Sequence, residues 1–288
     1  MNNDLSPEIA RKPLSSHGRL LNSEQFPILK GMSPVMIGIL NHASNLMHVS
    51  EGVELLHEGD TTNDLYFIVS GAVSITKHVG NGEKTLRKLG GGDVFGEFGT
   101  LRNKARFASV HTHELSLVIR VKASAVQQVL EVDAVFRERL IQLMNKRILL
   151  SFISTHPVFH ELSDESAIEL AETLRLRFVA QEDPIFMQGG LLHASGLIVS
   201  GEATVRMDGD VQVLLEMRRS NEIIGAAKDK AGLAVYSAIA NSDTELLILD
   251  DAAMDLLRSH STVVADHLQE LITQRAEKTF ARIAKFSA

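Results

Sequence analysis

No cysteine and no tryptophan occur among the 288 residues. That excludes a disulfide framework, a thiolate metal site and a cysteine nucleophile. Positive charge is in deficit, with 29 Lys and Arg against 36 Asp and Glu, a formal net charge of −7. Such a balance argues against a broad nucleic-acid-binding face. No apolar run approaches the roughly 18 residues of a membrane span. The N-terminal MNNDLSPEIARKPLSSHGRL lacks the apolar centre of a secretory signal, and no lipidation motif is present. The expected location is the cytoplasm, with no membrane insertion. Aromatics are only 5%, whereas glycine occurs 20 times and hydrophobic residues make up 44%. This composition suits turn-rich β structure with ordinary cores, at a length that favours two domains.

A repeat organises the chain. LKGMS at 29–33 aligns with FHELS at 159–163, HEGD at 57–60 with MQGG at 187–190, and IVSG at 68–71 with IVSG at 198–201. VFGE at 94–97 then meets IIGA at 223–226, and ELSLVI at 114–119 meets ELLILD at 245–250. Five blocks keep their order with a drift of about one residue, which reads as two copies of one unit. The expected division is a flexible segment over 1–24, one domain over 25–152 and a second over 153–288.

Each copy follows the same local grammar. Ser33-Pro34 and Ser163-Asp164 each open a short helix, with serine as N-cap. Alternating apolar residues, as in LYFIVSGAVSIT, predict short strands at 46–50, 53–57, 64–70, 72–79 and 85–89, then about 105–112 and 115–121. Turns fall at Glu58-Gly59-Asp60, Ser70-Gly71 and Asn81-Gly82. Helices close each copy, from Lys122 to about Leu150 with a break near Asp133, and from Asp250 to about Ile283 with a break near Ser259–Ser261. The fold class is mainly β with flanking α: two small antiparallel barrels or jelly rolls with C-terminal helices. Val135, Phe136, Leu140, Leu143, Met144, Ile148 and Leu150 cover more than one helix face, which suggests packing on another subunit or the other domain.

FGEFGTLRNKARFASV at 95–110 carries the candidate chemistry. A glycine-rich approach, Gly90-Gly91-Gly92-Asp93-Val94-Phe95-Gly96, leads into Glu97 and lets backbone come close to a ligand. Phe98 to Leu101 suits a short helix whose start faces an anion. Arg106 can give a charge-assisted bond to a phosphate, and Glu97, an acceptor, suits a sugar hydroxyl. Ser109 and nearby backbone can add donors.

The stretch resembles the phosphate-binding cassette of cyclic nucleotide-binding domains. Phe95, Gly96 and Glu97 match its opening, Arg106 its arginine, and Ala108, Ser109 and Val110 its close. The resemblance extends over both copies. It implies a β-roll with C-terminal lid helices and a non-catalytic sensor. It implies that Glu97 binds the ribose 2′-hydroxyl, that Arg106 binds the exocyclic phosphate, and that backbone from Gly96 to Gly99 and at Ala108 completes the cradle. Ala105 stands where the family usually has proline. Phe107 stands where sites preferring cyclic GMP often place Thr, which favours cyclic AMP over cyclic GMP; Phe107 could also fill the pocket or stack on the base. The candidate ligand-binding set is Gly96, Glu97, Phe98, Gly99, Arg106, Phe107, Ala108 and Ser109, with no catalytic residue, metal or cofactor beyond the nucleotide.

The second copy lacks that chemistry. In IGAAKDKAGLAVYSAI at 224–239, Gly225 remains, but Ala226 takes the acid position and Val235 the arginine position. Losing a charge-assisted phosphate bond costs about 1.5–3 kcal/mol. This copy is therefore expected to be degenerate, a lid or a dimerisation module; Lys228 and Lys230 could still hold another anion. Its partner would be an effector protein or a second copy met through the C-terminal helices. A transcription factor of the catabolite-activator type would carry a helix-turn-helix after the lid helix, and none is legible, so direct DNA binding is not expected. Regulatory subunits of cyclic-AMP-dependent kinases share the tandem layout, and Arg11-Lys12-Pro13-Leu14-Ser15 loosely resembles an inhibitor segment. Two other readings stand beside the sensor. One is a ligand-independent scaffold with relic sites. The other is a cupin-like metal enzyme built on His111 and His113 of HTHE, which would share one strand face but lack an evident third histidine.

Overall fold

The computed structural model describes residues 10–11, 20–79, 82–102, 105–209 and 212–286. The chain divides into two compact units, Met1–Met144 and Asn145–Ala288. The first contains β1 (Ala10–Arg11), α1 (Pro34–His42), β2 (Ser44–Val49), β3 (Glu54–Leu56), β4 (Leu65–Ser70), β5 (Ala72–Val79), β6 (Gly82–Gly90), β7 (Val94–Phe95), α2 (Glu97–Arg102), β8 (Ser109–Thr112), β9 (Ser116–Val121) and α3 (Ala123–Val132). The helix α4 (Ala134–Ile153) runs across the division. The second contains α5 (Asp164–Thr173), β10 (Leu176–Val179), β11 (Pro184–Phe186), β12 (Ser195–Ser200), β13 (Glu202–Met207), β14 (Val213–Arg219), β15 (Ile223–Ile224), β16 (Ser237–Ala240), β17 (Thr244–Leu249), α6 (Asp251–His260) and α7 (Thr262–Ala284).

Each unit is a roll of two antiparallel sheets. In the first the strand orders are β1-β2-β9-β4-β7 and β3-β8-β5-β6. In the second they are β10-β17-β12-β15 and β11-β16-β13-β14, the same order strand for strand apart from β1. The fold is therefore mainly β with flanking helices, as the sequence pattern implies.

Strand periodicity sets the two faces of each roll. Along β4, Leu65 and Phe67 join the cluster under the helices, whereas Tyr66 and Ile68 point into the roll interior. Along β12, Leu197 and Ile198 make the same division. A sheet covered on both faces needs a continuous apolar run, which LYFIVS and GLIVS supply. The repeated glycine of IVSG also has a steric cause. Gly71 and Gly201 take φ +87° and +92°, and a Cβ there would lie 2.6 Å from the Ser116 Cα and 2.4 Å from the Asp243 carbonyl.

Caps place the helices. Ser33 Oγ accepts from Met36 N and Ser163 Oγ from Ser166 N. The expected breaks fall at Asp133 and Ser261, because each residue caps the helix that follows: Asp133 Oδ1 accepts from Phe136 N, and Ser261 Oγ from Val264 N. Within α4, Phe136 and Leu140 belong to the first unit's core, Leu149, Phe152 and Ile153 to the second's, and Val135 is exposed.

The segment 1–24 is packed where it is described: β1 pairs with β2, Leu21 is fully buried, and Asn41 bonds both backbone groups of Leu21. Asn81 of the expected Asn-Gly turn and Lys12–Ser15 lie outside the described residues. Among the described residues, no helix is long and apolar enough to cross a membrane.

Candidate functional site

The site forms where β4, β7, α2 and β8 meet. After β7 the chain turns through Gly96, at φ +90°, and enters α2 at Glu97. Arg106 arrives from the loop before β8 and is only 3% exposed. Its Nη1 donates to the Gly96 carbonyl at 2.9 Å, its Nη2 to the Asp64 carbonyl at 2.8 Å, and its Nε to Thr62 Oγ1 at 3.3 Å. A Cβ on either Gly96 or Gly99 would lie 3.0 Å from Arg106 Nη1. The glycines thus make room for a guanidinium laid against the start of α2.

All three of these bonds go to neutral oxygens, so the cation is buried without full compensation. Burial pulls the Arg106 pKa down, and Tyr66, Asp64, Glu97 and Asp60 pull it back up. Glu97 is itself buried, at 8% exposure. The structure thus brings Gly96, Glu97, Gly99 and Arg106 into one cluster. Phe98 and Phe107 lie beside it, ring centroids 4.9 Å apart. Lys77 covers Phe107, its Nζ 3.7 Å from the ring centroid and bonded to the Phe107 carbonyl. Ala108, two residues after Arg106, is buried. Ser109 is committed elsewhere: its hydroxyl accepts from Glu58 N at 2.9 Å and bonds Glu54. It ties β8 to the β3 edge, so its hydroxyl is not a free donor.

Asp64, which the sequence pattern does not single out, joins the cluster to α3. Its carbonyl holds Arg106, its Oδ2 accepts from Arg120 Nε at 2.5 Å, and its Oδ1 accepts from Ala123 N at 2.7 Å. Lys122, the N-cap residue of α3, makes no side-chain capping bond, so Asp64 supplies the cap from outside the helix. A second tie runs from Gln127 Nε2 on α3 to the Thr100 carbonyl on α2 at 2.6 Å.

His111 and His113 do not share a site. The strand β8 ends at Thr112; His111 lies near Glu83 and Glu54, whereas His113 Nε2 meets Lys88 Nζ at 2.8 Å. Among the described residues, no group of three His, Asp or Glu could hold a metal.

The equivalent stretch of the second unit has another construction. No helix follows Gly225; residues 226–236 form a loop pinned by Asp229 Oδ1, which accepts from Ala231 N and Leu233 N. Ala226 and Val235 pack against apolar clusters, and Lys228 and Lys230 are exposed. Tyr236 is fully buried, and its hydroxyl accepts from Gly225 N at 2.9 Å.

Among curated proteins, the chain is 29% identical over 122 residues to the potassium channel KAT1 of Oryza sativa subsp. japonica, covering 38% of this chain and 17% of that one. It is 29% identical over 126 residues to the cyclic AMP receptor protein of Thermus thermophilus, covering 43% of this chain and 52% of that one. The chain spans between 17% and 26% of the length of the potassium channels it matches in rice and Arabidopsis thaliana apart from KAT2, where the share is 10%. Among solved structures, the regulatory domain of Toxoplasma gondii PKA with cAMP aligns at 17% identity and a TM-score of 0.37, covering 86% of this chain and 92% of that one. The family comparison falls on the first roll, where residues 46–133 match the model of the cyclic nucleotide-binding domain.

Proposed function

We propose that the first roll binds a cyclic nucleotide, cyclic AMP in preference to cyclic GMP, and that the protein is a non-catalytic cytoplasmic sensor. The observation that carries this reading is the buried Arg106 guanidinium beside Glu97, held by neutral oxygens at the start of α2. A phosphate would supply the missing negative charge, and charge-assisted bonds of this kind are worth about 1.5–3 kcal/mol each. Glu97 accepts from the ribose 2′-hydroxyl. Backbone at Gly96 to Gly99 and at Ala108 closes the cradle, and Phe98 and Phe107 flank it.

Transmission starts at Asp64. A phosphate competes with the Asp64 carbonyl for Arg106, and the same residue's carboxylate caps α3. Occupancy thus acts on the residue that sets the start of the C-terminal helices. Their movement is the signal passed to the second unit, an effector protein or a second copy. A ligand shifts such an equilibrium by its differential affinity for the two states. The second unit, with Ala226 and Val235 and no cassette helix, does not bind the nucleotide in this way.

Calorimetric titration of the full chain with cyclic AMP and cyclic GMP tests the reading. The expected result is one equivalent of cyclic AMP per chain, lost in Arg106→Gln. Two equivalents would assign nucleotide to both rolls. No binding by protein first shown to be nucleotide-free by mass spectrometry would leave the scaffold reading instead.

A further inference from the structure

The register of the two rolls puts different residues at the same place. In the first, Tyr66 of β4 pairs with Phe95 of β7 and Arg120 of β9. Its ring stacks on Phe95 at 4.9 Å and 9° and is nearly buried. In the second, Gly196 of β12 pairs with Ile224 of β15 and Ile248 of β17. No side chain stands where the tyrosine ring stands, and a cavity of about 450 Å³ opens there.

The cavity lies wholly within the second unit. Leu176, Phe186, Leu192, Ile224, Leu246 and Ile248 form its apolar wall. Arg175, Arg177 and His193 are its charged or titratable lining residues, and no carboxylate lines it. Arg177 is exposed and commits Nη1 to the Ile185 carbonyl, which fixes its fork at the opening. Arg175 pairs with Asp250 and is also exposed. An apolar wall with a few convergent cationic groups, at a volume inside the range of about 300–1,000 Å³, has the character of a small-molecule pocket.

We infer that the second roll binds an amphiphilic organic acid, its apolar body against Ile224, Leu246 and Ile248 and its anionic head at Arg177. The body replaces the ring that Gly196 lacks. The absence of any lining carboxylate makes the opening selective for negative charge. Tyr236, sealed onto Gly225, closes the position where a nucleotide phosphate would otherwise enter, so the two rolls bind different chemistries.

Decanoate, titrated into the full chain below its micelle concentration, is the probe, with decylamine as the charge-reversed control. Saturable binding of one decanoate per chain is expected, with decylamine weaker by about tenfold or more, as loss of one charge-assisted contact implies. Gly196→Tyr restores the first roll's residue, and a Cβ there meets Ile224 at 3.4 Å, ordinary contact. This variant should lose decanoate while keeping its circular dichroism and unfolding transition. If it fails to fold, Arg177→Gln serves instead and should weaken decanoate about tenfold while leaving decylamine unchanged. Absent or equal binding of the two probes overturns the proposal, as does undiminished decanoate binding by Gly196→Tyr. A dimer of the parent chain that Gly196→Tyr converts to monomer would assign the cavity to a second copy, and also overturns it.

Discussion

The first roll holds a buried cation at the junction of β7 and α2, and the second seals the corresponding junction with a tyrosine. Arg106 lies on the Gly96 and Asp64 carbonyls, and the Tyr236 hydroxyl accepts from Gly225 N. One arrangement leaves charge to be neutralised. The other satisfies the backbone internally and leaves apolar space a few residues away. The strand order is common to both, so the fold does not decide the chemistry. A handful of side chains at matched register positions does.

The largest expected effect tests what the rolls share. Gly71→Ala and Gly201→Ala each place a Cβ against backbone, at a φ that L-residues rarely adopt. Strain of this kind costs about 1–3 kcal/mol, and the contact with Ser116 Cα or Asp243 O adds to it. Chemical denaturation followed by amide hydrogen exchange should show Gly71→Ala lowering protection in residues 44–132 and Gly201→Ala in residues 164–284. Equal loss in both halves from either substitution would show that the rolls unfold as one unit.

The next effect tests where they differ. Tyr236→Phe removes the acceptor for a buried N–H, at a cost of about 1–3 kcal/mol. The second roll should lose that stability, read as a lower denaturation midpoint, with the first roll's nucleotide titration unchanged. In the first roll the corresponding position is Phe107, covered by Lys77 and touching Phe98. Phe107→Ala should therefore alter nucleotide affinity and leave stability nearly unchanged, since the ring is only partly buried. If Tyr236→Phe is silent and Phe107→Ala unfolds its roll, the contrast drawn between the two positions is wrong.

Local features carried most of the architecture. Ser33-Pro34, Ser163 and the break at Asp133 are each decided by neighbours within a few residues, and each stands where the pattern places it. Asp64 was not legible, because its three bonds reach residues 42, 56 and 59 positions away. Nothing around it in TTNDLYF signals a helix cap supplied from another loop. Ser109 follows the cassette pattern, yet a small hydroxyl there serves equally to tie β8 to β3. Gly196 is the hardest kind to read. A missing side chain acquires meaning only when Ile224 and Ile248 stand opposite it.

The smallest expected effect is one of pH, and only the second roll should lose stability as pH falls toward about 5.5. In the second roll His156 is buried among Phe152 and Phe159, and burial lowers its pKa from 6.5; a bond to Asn221 backbone opposes this and His267 adds to it. Its Nδ1 accepts from Val158 N, which requires the neutral ring. The unfolded chain therefore takes up a proton near pH 6.5 that the folded roll refuses, and stability falls as pH drops through that value. In the first roll the exposed His57 has its pKa raised by its bond to Glu54. That contribution is fully present below the unfolded pKa and is lost as pH rises through the folded one. The lowered carboxylates Glu54 and Glu58 lose their contribution only as pH falls below about 4.5, outside this window. Moving from about pH 7.5 to about pH 5.5 should thus weaken exchange protection in the second roll and leave the first unchanged or slightly stronger. His156→Gln should remove the second roll's share of that dependence; a slope that survives the substitution would place the titrating group elsewhere.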